Sequence, residues 1–226
     1  MTVQSDAGVP CVKDFDIICH HGTVHLRADP KVSSFLSSSC VWDDAGREAL
    51  EQAEFTHWDD NHTIIIPEVR GTHLPFGEAE AGTDNKGVLI KLVVPPGSSA
   101  RIRVTDGEIK TEGMFHEVDA KIVNGPIRMH SVKLATARAK RGSISVREVL
   151  GRLDAFTGRG KITVRNHRGN SALMETGRGS IRLTVDPSAS GRIRATADIG
   201  KIHMFGVAER NDLRIKTGGS AEVNKY

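Results

Sequence analysis

Histidine and cysteine side chains offer the first possible chemistry. Cys19, His20, His21 and His25 lie close together in the chain, and His57, His62 and His73 follow. A metal site needs three or four converging ligands. On an uninterrupted strand Cys19, His21 and His25 would share one face. Cys19 also fits an apolar position of the repeat described below, which turns that face inward, so neither metal nor cofactor is expected. Paired carboxylates are the second possibility. Asp119 and Asp154 stand at equivalent outward positions two repeats apart, roughly 10 Å by strand stacking. Glycosidic bond cleavage needs carboxyl groups ~5 Å or ~6.5–9.5 Å apart. Phe115, Phe156 and Phe205 are the only aromatics from 101 to 225, so no sugar platform accompanies the pair. The two acids read as solvated strand-face residues, and no catalytic residue is expected. Gly158-Arg159-Gly160 and Gly177-Arg178-Gly179 have glycines like a phosphate loop, but no Lys-Ser/Thr follows at the required spacing. They read as turns. No G-x-S-x-G elbow occurs, and Cys40 has no basic neighbour to activate its thiol.

The remaining chemistry is cationic. The 226-residue chain carries a net charge of +3. Residues 1–100 hold 7 Lys/Arg and 15 Asp/Glu, a net of −8, whereas 101–226 hold 24 and 13, a net of +11. Such asymmetry marks a face for anionic partners or simply a charged exterior on a thin body. Arg138, Lys140, Arg141, Arg159, Lys161, Arg165, Arg168 and Arg178 lie near successive turns and are the candidate binding residues.

These side chains are positioned by a repeat. Gly107, Gly125, Gly142, Gly160, Gly179 and Gly200 are separated by 18, 17, 18, 19 and 21 residues. Two residues after them stand Ile109, Ile127, Ile144, Ile162, Ile181 and Ile202. The offsets −7, −5, −3, +2 and +4 are apolar or Thr in every unit, and the positions between are mostly polar. Period-2 alternation on both sides of a glycine means two short strands, each with one buried face. Like residues at like offsets are what stacked rungs require. The expected fold is all-β: a single-stranded-type β-solenoid, or β-helix, of about six to seven coils. Narrow coils filled by Ile, Val and Ala also account for 4% aromatic content and 23 glycines.

The template fits once more near the start, at Phe15, Ile17, Cys19, Gly22, Val24 and Leu26. Lys31–Val41 reads as strand plus loop, and Asp44–Gln52 as one or two helical turns capped by Asp43 or Asp44. Phe55–Trp58 and Thr63–Ile66 flank the hairpin signal Asp59-Asp60-Asn61. Pro67–Asp84 reads as loop, and Val88–Val94 as a strand ended by two prolines. The expected organisation is a flexible N-terminus (1–13), one solenoid domain (14–207) and a C-terminal cap or tail (208–226). Within the domain, 14–97 is the strand-and-hairpin region and 98–207 the regular repeats. Leu213 and Ile215 suit a capping strand, with fraying from Gly218 onward.

The N-terminus has no basic start and no apolar run, so no signal peptide is expected. No run of residues is long and apolar enough for a membrane span. Cys11, Cys19 and Cys40 are an odd number without framework spacing. These features point to a reduced, cytoplasmic chain, or one reaching the envelope through partners.

"TIIIPE" and "GVLIKLVVPPGSSARIRV" followed by tandem "TGRGKITV", "TGRGSIRL" and "ADIGKIHM" units resemble the bacterial putative-adhesin β-solenoid family of unknown function, also called toastrack domains, especially its actinobacterial branch. There an I-x-L-P-x-G-S strand precedes T-x-x-G-D-I-x-V repeats. This chain departs at the residue after each glycine, where Glu108, Pro126, Ser143, Lys161, Ser180 and Lys201 stand. The resemblance implies a non-catalytic domain linked to the cell envelope and to envelope stress. It brings no functional residues. The partner it suggests is an unidentified protein or an anionic envelope polymer. The alternatives are a self-assembling scaffold joined through solenoid ends or edges, like bactofilins in logic, and a polysaccharide-active enzyme. Nucleic acid is disfavoured because stacking aromatics are missing.

Overall fold

The computed structural model describes residues 13–68, 87–209 and 211–225. The alternating segments form fifteen strands in one continuous sheet, interrupted by one helix. From β6 (Ser99–Asn124) onward each strand pairs in parallel with its equivalent one repeat away, and inward side chains fall into columns. Ile109, Ile127, Ile144, Ile162, Ile181 and Ile202 form one such column, each wholly buried. Beside it run Val118, Ala135, Leu153, Ala172 and Ile193, and then Ala120, Ala137, Ala155, Met174 and Ala195. Parallel pairing in strict register puts branched side chains against their like about 4.8 Å away, which packs each coil without aromatic volume.

The two strand segments of each coil meet at the repeat glycine. Gly107, Gly125, Gly142, Gly160, Gly179 and Gly200 all have φ between +132° and +151°. A Cβ at each would lie within 2.0 Å of the carbonyl oxygen of the glycine one coil away. Glycine is therefore required here twice over, by backbone conformation and by close approach. The Thr residues of the template have a role at this corner. Thr157 and Thr176 donate to the Gly142 and Gly160 carbonyls at 3.0 and 3.2 Å.

A further buried column was not foreseen. Phe115, Val132, Val149, His167 and Val185 stack in register on the far side of each coil. Their distance from the corner glycine varies between 6 and 8 residues, because register shifts interrupt the ladders there.

The N-terminal elements build one end of the stack. β1 (Asp14–Ala28) fits the template, with Gly22 beside Gly107. It lies between the first turn of β6 (Ser99–Asn124) and a coil made jointly by β4 (Asn61–Ile66) and β5 (Val88–Val94), so chain order and stacking order differ here. β2 (Leu36–Val41) and β3 (Glu54–Trp58) add antiparallel outer strands. Between them α1 spans Asp44–Glu51, and the N-cap is Asp43. The Asp43 carboxylate accepts from the backbone N–H of both Gly46 and Gly87, pinning the helix to the start of β5. The loop expected at 67–84 falls mostly outside the described residues.

At the other end the expected capping strand through Leu213 and Ile215 forms, and the stack continues past Gly218, where fraying is expected. β14 (Asn211–Thr217) pairs with β12 (Gly191–Ile199), and β15 (Ala221–Lys225) with β13 (Ile202–Val207). Gly219 sits against the Gly200 carbonyl, and Thr217 donates to the same oxygen at 3.1 Å. This coil has one residue fewer before its glycine, which moves Leu213 and Ile215 off the template offsets while leaving them stacked on Ile193 and Ala195.

Candidate functional site: a basic corner and an adjoining groove

From Gly142 onward the residue before each corner glycine is exposed. Arg141, Arg159 and Arg178 end β7 (Ile127–Arg141), β8 (Ile144–Arg159) and β10 (Ser171–Arg178), and are in direct register. All three are exposed. Across the glycines, Lys161, Arg182 and Lys201 line a depression of about 390 Å³ with Ser180 and His203. Among the described residues, none of these six Lys/Arg side chains has an ion-pair or hydrogen-bond partner. His203 is held by Glu222 at 3.0 Å.

The same corner is different in the first coils. His21 faces Asp106 at 3.6 Å, Asn124 donates to Asp106 at 2.6 Å, and Arg128 pairs with Glu108. The charge split along the sequence thus becomes a split along the solenoid axis. The early corner is acidic and internally satisfied; the later corner is cationic and unsatisfied.

The eight sequence candidates fall in three places. Arg141, Arg159, Lys161 and Arg178 form the corner. Arg138 and Lys140 lie one face away, in a groove of about 640 Å³ that crosses the outward surface of β1, β6, β7, β8, β10 and β12. Arg165 sits exposed on β9 (Ile162–His167). Arg168 is neutralised by Glu148 at 3.4 Å and Asp186 at 3.0 Å. Ser188, by two hydrogen bonds, and Arg168 hold Asp186 down at about 2.

The groove was missed in the sequence. Its floor is opened by Gly158 and Gly177, where side chains would otherwise stand. The Arg138 guanidinium lies 5.4 Å from the centre of the Phe156 ring, a cation–π contact.

The remaining sequence candidates find structural roles. Asp119 pairs with Arg103 at 3.0 Å and Asp154 with Arg152 at 2.6 Å, and Thr136 stands between them in register. Cys19 points into the core, where burial pushes its thiol up to about 12. The Gly22 corner separates it from His25, so the face-sharing expected of an uninterrupted strand does not arise. His25 instead meets Glu112 at 3.3 Å. His57 and His62 stack edge to face at the end of the solenoid, with Phe15 and Phe35 around His62. Among the described residues no three His, Cys, Asp or Glu side chains gather to hold a metal ion. Cys11 and His73 lie outside the described residues. No described helix is long and apolar enough to cross a membrane.

No protein-family model matches the sequence, and no curated protein does. Solved structures do match. A "putative adhesin" from Bacteroides fragilis superposes with a TM-score of 0.62 at 13% identity, covering 94% of this chain and 92% of that one. A "putative cell adhesion protein" from Clostridium sporogenes gives a TM-score of 0.35 at 10% identity, covering 95% and 92%. At such identities the Bacteroides match speaks for architecture alone: this chain, a β-solenoid of stacked coils, shares the fold of that protein.

Proposed function

We propose that the chain is a non-enzymatic, adhesin-like binding module whose basic corner holds a linear anionic polymer of the cell envelope. The observation that carries this reading is the ladder Arg141–Arg159–Arg178, flanked across the glycines by Lys161, Arg182 and Lys201 without acidic partners. Like charges stacked about 4.8 Å apart repel one another in the free protein. A polyanion laid along the solenoid axis relieves that repulsion and releases its own counterions. The fold of the Bacteroides protein, itself named a putative adhesin, agrees with a binding role. The carboxylates first considered for catalysis are bound up with arginines.

The test is charge reversal. The variant Arg141→Glu/Arg159→Glu/Arg178→Glu should bind long-chain polyphosphate and polygalacturonate at least about tenfold more weakly than wild type in low salt. Neutral dextran should bind neither. Equal polyanion affinity in the two proteins would remove the corner from the account. The substituted side chains are exposed, so thermal stability should be unchanged or slightly raised.

A further inference from the structure

The groove beside the corner has a different charge pattern, and the pattern selects a different ligand. Along it, in register, run Lys121, Arg138, Phe156 and Glu175, on four neighbouring strands. Lys140 adds a second cation near Arg138, and Asp198 a second acid beyond Glu175. Among the described residues Lys121, Lys140, Glu175 and Asp198 have no ion-pair partner. The charges are not randomly mixed. Cations occupy the early coils and acids the later ones, with the Phe156 ring and the bare backbone of Gly158 and Gly177 between them.

A uniform polyanion fits the cationic half and is repelled by Glu175 and Asp198. A uniform polycation has the opposite difficulty. We propose that the groove takes an extended peptide segment with acidic residues at one end, an apolar residue in the middle and basic residues at the other. The dimensions agree. Arg138 and Lys121 lie two and three strand steps from Glu175, about 10–14 Å. Four residues of extended peptide span about 13 Å at about 3.3 Å each, which puts an acid, an apolar residue and a base at i, i+2 and i+4 on one face. An apolar side chain midway then lies over Phe156, whose other neighbour is the Arg138 guanidinium. Opening the floor at Gly158 and Gly177 lets the peptide backbone approach the sheet surface. A Cβ at Gly158 would meet the Lys140 carbonyl oxygen at 2.7 Å, so the opening is built into the stacking. The site is separate from the corner: it uses another face and other residues.

The experiment uses the full chain and three N-acetylated, C-amidated nine-residue peptides: SEESLSKKS, SEESLSEES and SKKSLSKKS. Fluorescence anisotropy in low salt reads their affinities. In the corner-neutralised variant Arg141→Gln/Arg159→Gln/Arg178→Gln the zwitterionic peptide should bind about tenfold more tightly than either uniformly charged one, because it alone meets both halves of the groove through individually weak exposed pairs. The variant Glu175→Lys/Asp198→Lys should transfer the preference to the all-acidic peptide. In wild type the corner also attracts the all-acidic peptide, and the difference between wild type and the Arg141→Gln/Arg159→Gln/Arg178→Gln variant measures that contribution separately from the groove. The proposal is overturned if the all-acidic peptide binds the corner-neutralised variant as well as the zwitterion does. It is equally overturned if no peptide binds at millimolar concentration, or if the double variant keeps the original preference.

Discussion

Gly160→Ala should leave little or no folded protein. The φ of Gly160 is +151°, and its added methyl would lie 2.0 Å from the Gly142 carbonyl oxygen and 2.6 Å from its carbonyl carbon. Both atoms are backbone of the adjoining coil, held by ladder hydrogen bonds on either side of the corner. Arg159 accepts from the Gly142 N–H at 2.8 Å, and Gly160 itself donates to Arg178 at 2.9 Å. Relief therefore requires the two coils to separate, which breaks several hydrogen bonds and opens the Ile144–Ile162 contact beneath. The expected loss exceeds ~4 kcal/mol, beyond the range of ordinary substitutions. Nearest-neighbour coupling in a stacked repeat spreads that loss to both flanking coils. Gly97 supplies the comparison. Its φ is +81°, but nothing lies within 4 Å of an added Cβ. Gly97→Ala should cost only ~1–2 kcal/mol, from backbone conformation alone. Denaturant unfolding of the two variants measures the contrast. A Gly160→Ala protein within about 1 kcal/mol of wild type would refute the close-packed corner.

His167 should make the protein acid-sensitive. Its side chain is wholly buried in the column that begins at Phe115, between Val149 and Val185, and neither ring nitrogen has a hydrogen-bond partner. Burial pulls its pKa from 6.5 down to about 4. The residues beside it in sequence and register, Glu148, Asn166 and Arg168, join one another and Asp186 through contacts outside the core. Above pH 6.5 the imidazole is neutral both folded and unfolded, so it adds no pH dependence. As pH falls below that value the unfolded chain takes up a proton that the folded chain refuses. Stability then drops by ~1.4 kcal/mol per pH unit until the folded-state pKa is reached, about 3 kcal/mol in all. His167→Val restores the residue type of its column neighbours and removes this term. Its stability advantage over wild type should therefore widen by about 3 kcal/mol between pH 7 and pH 4. At pH 7 the variant should be equal to wild type or better by ~1 kcal/mol, because two unsatisfied ring nitrogens leave the core. Parallel acid profiles of the two proteins would contradict this assignment.

The sequence made the two strand segments around each glycine readable because their apolar offsets are constant. Ile at +2 becomes a buried column since nothing between glycine and isoleucine changes length from coil to coil. The column through Val132, Val149 and His167 escaped because irregular pairing shifts its Phe115 and Val185 members relative to their glycines. In the final coil the strand through Leu213 and Ile215 was legible, but one missing residue before Gly219 hid the corner there and the strand beyond it. The position of β1 between β6 and the β4–β5 coil was also hidden. A template tells which residues stack, but not which neighbour each coil chooses. Among candidate sites, the arginines before the glycines were legible as a set, and register then divided that set among three surfaces. The groove was not legible. Gly158 and Gly177 look like ordinary turn residues in sequence, and only stacking shows that they clear a floor between Lys140 and Asp198.

The most direct measurement of the binding account is the salt dependence of polyphosphate affinity. Wild type and the charge-neutral variant Arg141→Gln/Arg159→Gln/Arg178→Gln are compared from low to physiological salt. If the corner carries the polymer, the slope of log K against log salt should become shallower by about 2–3 in the variant, near 0.7–0.9 per lost contact. Identical slopes in the two proteins would mean that the polymer, if bound at all, is held elsewhere.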